Sequence, residues 1–373
     1  MKKKLAILFL VFIGLASALF SSERDLMEIY RRGIIHLTPD PDFSTDVDWA
    51  SLFFDRRTRL KVAPDGSVFV ANQRENNIVK FDALGRFLLK FGKKGQGPGD
   101  LNFPSEMSIL NDRYLVVAEY ASSRRISLFE QDGTFHKLII TQYPSATVIA
   151  LKDNKIAYVG MSSALDMSKG VPVLWTINRI IIMDVDTKEE REVTNIRTST
   201  NEWKDGMVYI GRSISGDLLV GVSIRPEVDV FGLNGEKKKR ISLKITPIPV
   251  TKKIKDAYPH SMVVTVDGKT KEVDLPFAEN LPYYRDMIVD SQGNLLIFLM
   301  TESPKEGPVI FQVYDPTGEF LCETEIAPGD FDLSFERRNH ENRLDFTKQG
   351  IFGILPLTGD DLETPQLFKV KNE

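Results

Sequence analysis

The chain has 373 residues, of which 42% are hydrophobic and 27% are charged, the composition of an ordinary folded protein. This composition excludes a disordered chain and a low-complexity fibre. The formal net charge is −4, so the chain has no excess of positive charge with which to neutralise the phosphates of a nucleic acid. The length suits two or three ordinary domains, or one repeat architecture that closes on itself.

The N-terminal 18 residues have the pattern of a secretory signal peptide. Three lysines at positions 2–4 precede an uncharged run at positions 5–20, and Ala16-Ser17-Ala18 provides a cleavage site of small residues. Cleavage after Ala18 removes three lysines and changes the formal charge from −4 to −7. An uncleaved anchor is the alternative, because the apolar run is near the lower limit for spanning a bilayer, about 17 residues. We expect a secreted or periplasmic mature protein without a membrane span.

A turn pattern then recurs along the chain. An aromatic residue, three further residues and a glycine precede a new strand at positions 81–85, 129–133, 231–235 and 314–318. Glycine supplies the positive φ that a tight hairpin requires. A second turn precedes each of these and leads into a β-rich run, such as Val68-Phe69-Val70. Each unit therefore predicts a four-stranded antiparallel meander, which is the blade of a β-propeller.

Five complete units are predicted, at residues 59–92, 103–140, 146–198, 207–245 and 283–327. Residues 246–282 form an insertion between the fourth and fifth units. A sixth unit has strands at 350–355 and 366–371, and residues 34–37 can supply its missing outer strand. The prediction is a single all-β domain, residues 19–373, folded as a six-bladed β-propeller of four-stranded antiparallel blades and closed by an N-terminal strand. Five or seven blades remain open, because the third and sixth units are irregular.

The linker between the first two units resembles the NHL repeat. Residues 90–104 read KFGKKGQGPGDLNFP and are followed by Val117-Ala118-Glu119 and by Arg125-Ile126, with Glu119 at a position where the family has Asp. The mature chain is similar to secreted bacterial six-bladed β-propeller proteins that carry this motif. The resemblance implies that fold without an agreed activity. It also implies that Glu119 and Arg125 meet across a hairpin of the second blade and stabilise it.

The glycine-rich residues 92–99 could suggest a phosphate-binding loop. They lack the Gly-Lys-Ser/Thr ending of a P-loop, and they lead into a strand, whereas an anion site of that kind needs a helix N-terminus. A linker between two blades is therefore the favoured interpretation.

Loops that join the second and third strands of each blade should lie on the same face as the linkers between blades, and we call this the loop face. Binding residues concentrate on loops held by a rigid scaffold, and Arg, Tyr and Trp are favoured at protein interfaces. The candidate binding residues are Arg74, Tyr120, Arg124, Trp175 and Arg225, with Trp175 at the end of a long loop, residues 162–175. The leading hypothesis is a non-catalytic binding or scaffold module for a protein or glycan partner.

The alternative hypothesis is a metal-assisted lyase or lactonase with a cation in the central channel. Asp286 and Asp290 flank a predicted inner strand and are candidate ligands for calcium or magnesium, although turn aspartates usually accept backbone hydrogen bonds. The four histidines lie far apart in the sequence, the only cysteine is Cys322, and no nucleophile motif is present. These features favour binding over catalysis and predict no cofactor. A bound calcium or magnesium ion remains an alternative, and the sequence does not indicate an oligomeric state.

Overall fold

The computed structural model describes residues 25–44, 46–55, 57–120, 123–166, 173–199, 206–258, 261–266, 269–274, 277–303, 308–327, 331, 343–357 and 365–371. The predicted signal peptide, residues 1–18, lies outside the described residues. Among the helices in these ranges, none has both the length and the apolar composition that crossing a membrane requires.

The chain begins with helix α1 (Leu26–Arg31), strand β1 (Ile34–His36) and a 3-10 turn (Trp49–Leu52), and continues with four antiparallel sheets. Blade one contains β2 (Arg59–Val62), β3 (Val68–Asn72), β4 (Asn77–Phe81) and β5 (Phe87–Phe91). Blade two contains β6 (Pro104–Leu110), β7 (Tyr114–Glu119), β8 (Arg125–Glu130) and β9 (Phe135–Ile140). Blade three contains β10 (Val148–Ala150), β11 (Lys155–Asp166), β12 (Val173–Asp184) and β13 (Glu190–Ser199). Blade four contains β14 (Val208–Arg212), β15 (Leu218–Val222), β16 (Glu227–Phe231) and β17 (Lys237–Ser242).

The segment between blades four and five contains helix α2 (Lys252–Ala257) and a hairpin of β18 (Ser261–Val266) and β19 (Lys269–Asp274). Its two ends meet in an antiparallel bridge between Pro249 and Asn280. A small apolar cluster of Ile254, Tyr258 and Leu281 packs with Met300 of the blade-five loop. The inserted segment is therefore attached to the propeller by its own core.

Two further sheets complete the ring. Blade five contains β20 (Tyr284–Val289), β21 (Leu295–Leu299), β22 (Val309–Tyr314) and β23 (Phe320–Ala327), and blade six contains β24 (Leu344–Thr347), β25 (Gly350–Leu355) and β26 (Gln366–Lys369). Blade six packs on blade five through Phe346 and Phe311, whose ring centroids are 5.8 Å apart. It packs on blade one through Phe352 and Val68, which share one buried cluster. The predicted six-bladed propeller is confirmed.

The hairpin turns that defined the repeat form as the sequence predicts. The four turn glycines have φ between 76° and 92°, a range in which any other residue would be strained, at Gly85, Gly133, Gly235 and Gly318. The strands between turns are buried on both faces in the middle of each blade, as in β3 and β15. Stability therefore comes from apolar side chains packed between neighbouring sheets.

The N-terminal segment closes the ring, but with different residues from those expected. Strand β1 pairs in parallel with β23 on the outer edge of blade five, so residues 34–37 do not form the outer strand of blade six. The next residues cover that edge through an isolated antiparallel bridge between Pro39 and Val370. Asp40 N–H donates to Lys369 O at 2.7 Å, and Lys371 N–H donates to Thr38 O at 2.8 Å. The reason is that Leu26 and Tyr30 of α1 are fully buried in the core of blades five and six and bring β1 to the blade-five edge first.

Closure makes a prediction about stability. Substituting Leu26→Ala removes a fully buried side chain and should lower the unfolding free energy by about 2–5 kcal/mol. The matched substitution Ile34→Ala, in the same segment but 47% exposed, should change it by about 0.5 kcal/mol or less. Urea denaturation followed by circular dichroism measures both values. Equal effects of the two substitutions would contradict the role assigned to α1.

Candidate functional site

The inner strands of all six blades surround a central cavity of about 1160 Å³. Its wall is formed by residues of β2, β6, β10, β14, β20 and β24, and its mouth at the loop face includes Gln73, Tyr120, Met207 and Pro282. A cavity of this size is somewhat larger than the usual range for small-molecule pockets, roughly 300–1,000 Å³. The channel and the loop face are therefore adjoining candidate sites.

Charged side chains from three neighbouring blades meet in the channel wall. Lys61 of β2 forms an ion pair of 2.9 Å with Asp345 of β24, and the same carboxylate accepts the backbone N–H of Val62 at 2.9 Å. Glu106 of β6 lies in the field of this pair and of the buried Arg59. Burial raises the pKa of the Glu106 carboxyl, while the charges of Arg59 and Lys61 act in the opposite direction.

Two β-bulges place acidic residues on opposite sides of the channel. In β6 the pairing register shifts between Pro104 and Met107, and in β20 it shifts between Tyr284 and Asp286. Glu106 and Asp286 line the cavity at these two bulges. Blades two and five are three positions apart in a ring of six, so these carboxyl groups belong to opposing walls. Bulges are often found beside functional sites because they redirect a side chain.

The two aspartates proposed as metal ligands have different surroundings. Asp290 is buried, and its carboxylate accepts hydrogen bonds from the backbone of Gln292 at 2.8 Å, from the backbone and side chain of Asn294, each at 2.9 Å, and from Tyr30 Oη at 3.0 Å. Asp290 therefore stabilises its turn through backbone hydrogen bonds, as aspartates in turns usually do. Asp286 accepts the N–H of Met287 at 2.7 Å and faces the channel. In the described part of the chain, no group of three or more His, Cys, Asp or Glu is arranged to hold a metal ion.

Exposed aromatic residues cluster on the loop face of blades one and two. Arg74 and Tyr120, two of the predicted binding residues, are exposed there together with Phe53 and Phe103, which the sequence analysis did not select. The guanidinium of Arg74 lies 5.8 Å from the ring centroid of Phe53, and Tyr120 N–H donates to Phe103 O at 2.9 Å. We call Phe53, Arg74, Phe103 and Tyr120 the aromatic patch.

Both phenylalanines of the patch have left-handed backbone conformations. Phe53 has φ 52° and Phe103 has φ 54°, which is rare for a bulky side chain. Asn72 Nδ2 donates to Leu52 O at 2.7 Å, and Asn76 Oδ1 accepts the N–H of Phe103 at 2.8 Å. Asn72, the last residue of β3, therefore holds the residue that precedes Phe53, and Asn76 of the following loop holds Phe103 itself. Phe53 is 52% exposed and Phe103 is 38% exposed.

Blade four repeats part of this arrangement. Ser223 N–H donates to Met207 O at 2.9 Å, the bond equivalent to that between Tyr120 and Phe103. Met207 and Ile224 are exposed at this position, next to Arg225, which is exposed as predicted. Loops between second and third strands and linkers between blades therefore lie on one face, as expected.

The remaining two candidate residues have different positions. Arg124 is exposed, and its carbonyl accepts the N–H of Thr141 at 2.8 Å. Trp175 is half-buried on β12, where it pairs with Ala164 and Ser199. The prediction of a long loop at 162–175 is wrong, because β11 and β12 each continue for 12 residues. Only residues 167–172 between the two strands lie outside the described ranges. The longer hairpin contributes Met161, Thr176 and Asn178 to the cavity wall.

The NHL-like segment has a structural role. Arg125 Nε donates to Glu119 Oε1 at 3.0 Å, as the resemblance implied, and Glu119 is fully buried. The same guanidinium donates to Gln96 O at 3.0 Å and to Asp100 O at 3.3 Å, which attaches the glycine-rich linker to blade two. The linker interpretation of residues 92–99 therefore agrees with the geometry.

The backbone strain at Phe53 can be tested by comparing glycine with alanine. Because the residue has a positive φ, Phe53→Gly should be more stable than Phe53→Ala by about 1 kcal/mol. Phe87 on β5 is equally exposed, at 50%, and supplies the control: there the glycine variant should be the less stable one. Urea denaturation of the four variants measures both differences, and the same order at both sites would contradict the strain.

The raised pKa of Glu106 predicts how stability depends on pH. Unfolded Glu106 loses its proton near the ordinary value, about 4.3. The folded protein holds the proton to higher pH, so this group lowers stability as pH rises between the two values. Glu106→Gln should therefore become more stable relative to wild type as pH rises from 4 to 7, measured by urea denaturation. Asp132→Asn is the control, because a hydrogen bond from Thr134 N–H lowers the pKa of Asp132. Its effect on stability lies mainly below about pH 3.9, so this variant should change little relative to wild type from pH 4 to 7. A constant difference for Glu106→Gln would contradict the prediction.

Comparison with known proteins shows the fold. No family model and no curated protein matches the chain, so membership of the NHL family stays a prediction. A predicted exported protein of Bacteroides fragilis aligns over 91% of this chain and 99% of its own, with TM-score 0.50 and 11% identity. A member of the DUF4221 family from Bacteroides vulgatus aligns over 90% and 96%, with TM-score 0.51 and 12% identity. A gluconolactonase of Xanthomonas campestris aligns over 79% and 81%, with TM-score 0.44 and 13% identity. At such identities, the first two alignments show that this chain has the β-propeller fold of those proteins.

Proposed function

We propose that this chain is an extracytoplasmic, non-catalytic binding module that holds a protein partner on its loop face. The observation that carries the proposal is the aromatic patch, in which Phe53 and Phe103 have strained conformations, with Asn76 bonded to Phe103 and Asn72 bonded to the residue before Phe53.

The strain supports a binding role for the patch. A left-handed conformation costs roughly 1–2 kcal/mol for a residue with a side chain, and a glycine at the same place would avoid that cost. Exposed aromatic surface also gains nothing for folding. Strained residues of this kind cluster at ligand-binding sites, where the rest of the fold holds them in place. Because the patch is already ordered, a partner loses little conformational entropy of the patch when it binds.

The chemistry of the patch favours a protein partner over a glycan. Arg74 covers one face of the Phe53 ring and leaves guanidinium donors for carboxylates or backbone carbonyls of the partner. Tyr and Arg are enriched among the residues that dominate the energy of protein interfaces. Arg225 and the exposed Met207 and Ile224 extend the same chemistry to blade four. A partner surface with apolar side chains and carboxylates is complementary to this face.

The extracytoplasmic location is supported by the signal-like pattern of residues 1–18 and by the fold shared with a predicted exported Bacteroides protein. N-terminal sequencing of the protein from its host tests it.

The binding role predicts that truncating the patch removes a specific partner. The double variant Phe53→Ala/Phe103→Ala should reduce recovery of that protein from an extracytoplasmic extract at least tenfold, since hot-spot truncations cost about 2 kcal/mol each. The control is Leu84→Ala/Phe87→Ala, which removes side chains that are 55% and 50% exposed on blade one away from the patch. Quantitative mass spectrometry of the retained proteins compares the variants.

Two results would contradict the proposal. One is recovery of the same proteins, in the same amounts, by wild type and the patch variant. The other is turnover of a lactone or polyuronide that a chelator abolishes, because this result supports the metal-assisted lyase or lactonase of the alternative hypothesis.

A further inference from the structure

We infer that the central channel is a second binding site, distinct from the aromatic patch, and that the carboxyl groups of Glu106 and Asp286 bind a small, neutral, hydroxyl-rich ligand such as a saccharide there.

The first step concerns the carboxyl groups themselves. Glu106 borders the cavity, and Asp286 borders the same cavity from the opposing blade. The register shift of β6 skips Glu106, whereas in β20 it skips Arg285 and Asp286 is the first paired residue after it. In a regular strand, successive side chains point to opposite faces of the sheet, whereas a bulge changes the direction of a side chain. Two carboxylates on opposing walls can accept hydrogen bonds from a ligand placed between them.

The second step concerns the charged groups around Glu106. Glu106 is close to Arg59, Lys61 and Asp345, and these four groups carry two positive and two negative formal charges. The formal charges of these four groups balance, so a strongly anionic or strongly cationic ligand gains no net electrostatic attraction from them. Hydroxyl groups donate and accept hydrogen bonds without a net charge, so they suit a wall with both kinds of charge.

The third step concerns the rest of the lining. Uncharged polar side chains border the cavity next to apolar ones. The polar ones are Gln73, Asn178, Thr198 and Ser223, and the apolar ones include Met107, Met161, Tyr284 and Met287. A saccharide presents hydroxyl groups and C–H faces together, and small-molecule sites combine an apolar lining with a few placed polar groups. The cavity of about 1160 Å³ opens toward the loop face beside Tyr120, which provides an entry path.

Calorimetric titration with four defined probes tests the inference. Glucose and maltose are neutral, glucuronic acid is anionic and glucosamine is cationic. At least one neutral sugar should bind, and each charged analogue should bind more weakly than glucose. Glu106→Ala should weaken binding at least tenfold, because hydrogen bonds to charged groups are about twice as strong as neutral ones. Asp286→Ala repeats the test from the opposite wall if Glu106→Ala does not fold, and Glu236→Ala, at an exposed turn, is the control.

Three results would overturn the inference. They are the failure of all neutral sugars to bind at millimolar concentration, tighter binding of glucuronic acid or glucosamine than of glucose, and unchanged affinity in both channel variants. The patch variant Phe53→Ala/Phe103→Ala should bind the sugar as wild type does. A variant that loses partner capture but still binds the sugar supports the loop-face proposal without affecting the channel inference. A variant that loses sugar binding but still captures the partner does the reverse.

Discussion

Six sheets packed face to face leave two uncovered faces unless the first and last blades meet, and here residues 26–40 tie the start of the chain to blades five and six. Tyr30 donates a buried hydrogen bond to Asp290 of the blade-five turn, β1 covers the edge of β23, and Thr38 and Asp40 hydrogen-bond the last strand of blade six. An unpaired strand edge is a template for association with other chains, so closure also protects the outer edges of two blades. The channel and the loop face keep their shapes because the ring is closed.

The closed ring separates two kinds of chemistry. The inner strands bring charges from blades six, one and two within a short distance of one another, as the ion pair of Lys61 and Asp345 shows. The loops present apolar and aromatic side chains, and Asn76 bonds Phe103 while Asn72 bonds the residue before Phe53. The two binding roles proposed above follow this division: a small ligand in the interior of mixed charge, and a macromolecule on the rim with its exposed apolar side chains. Both depend on residues of blades one and two.

Local signals in the sequence were sufficient to predict the blades but insufficient to predict the candidate sites. Turn glycines such as Gly85 and β-rich runs are read within a few residues, so the predicted and observed blades agree closely. The exposure of Arg74 and Tyr120 could be predicted because exposed loop positions follow from the strand order. Phe53 and Phe103 were not selected, since the asparagines bonded to Leu52 and to Phe103 lie 20 and 27 positions away from those residues in the chain. Glu106 was missed because a bulge is a property of the pairing between two strands, and β6 alone does not reveal it.

The same dependence on distant residues explains why the predicted pairing of residues 34–37 was wrong. Residues 34–37 have the composition of an outer strand, but which edge they join is decided by α1, whose Leu26 and Tyr30 pack into the core of blades five and six. Composition could predict that an N-terminal strand closes the ring. It could not predict a parallel pairing with β23, because parallel and antiparallel edges offer the same hydrogen-bonding groups.

The position of α1 also has a consequence for how the chain folds. Tyr30 binds Asp290 across 260 positions of sequence, and its carbonyl accepts the hydroxyl of Thr324 across 294. Contacts of such long range form slowly, since a large loop must close before they contribute. Synthesis proceeds from the N-terminus, so α1 is made first and has no binding site until blade five exists. Blades one to four can assemble early, whereas the residues that complete the ring must wait for nearly the whole polypeptide. A chain interrupted before blade five would keep an open ring, and its exposed edges would distinguish it from the finished protein.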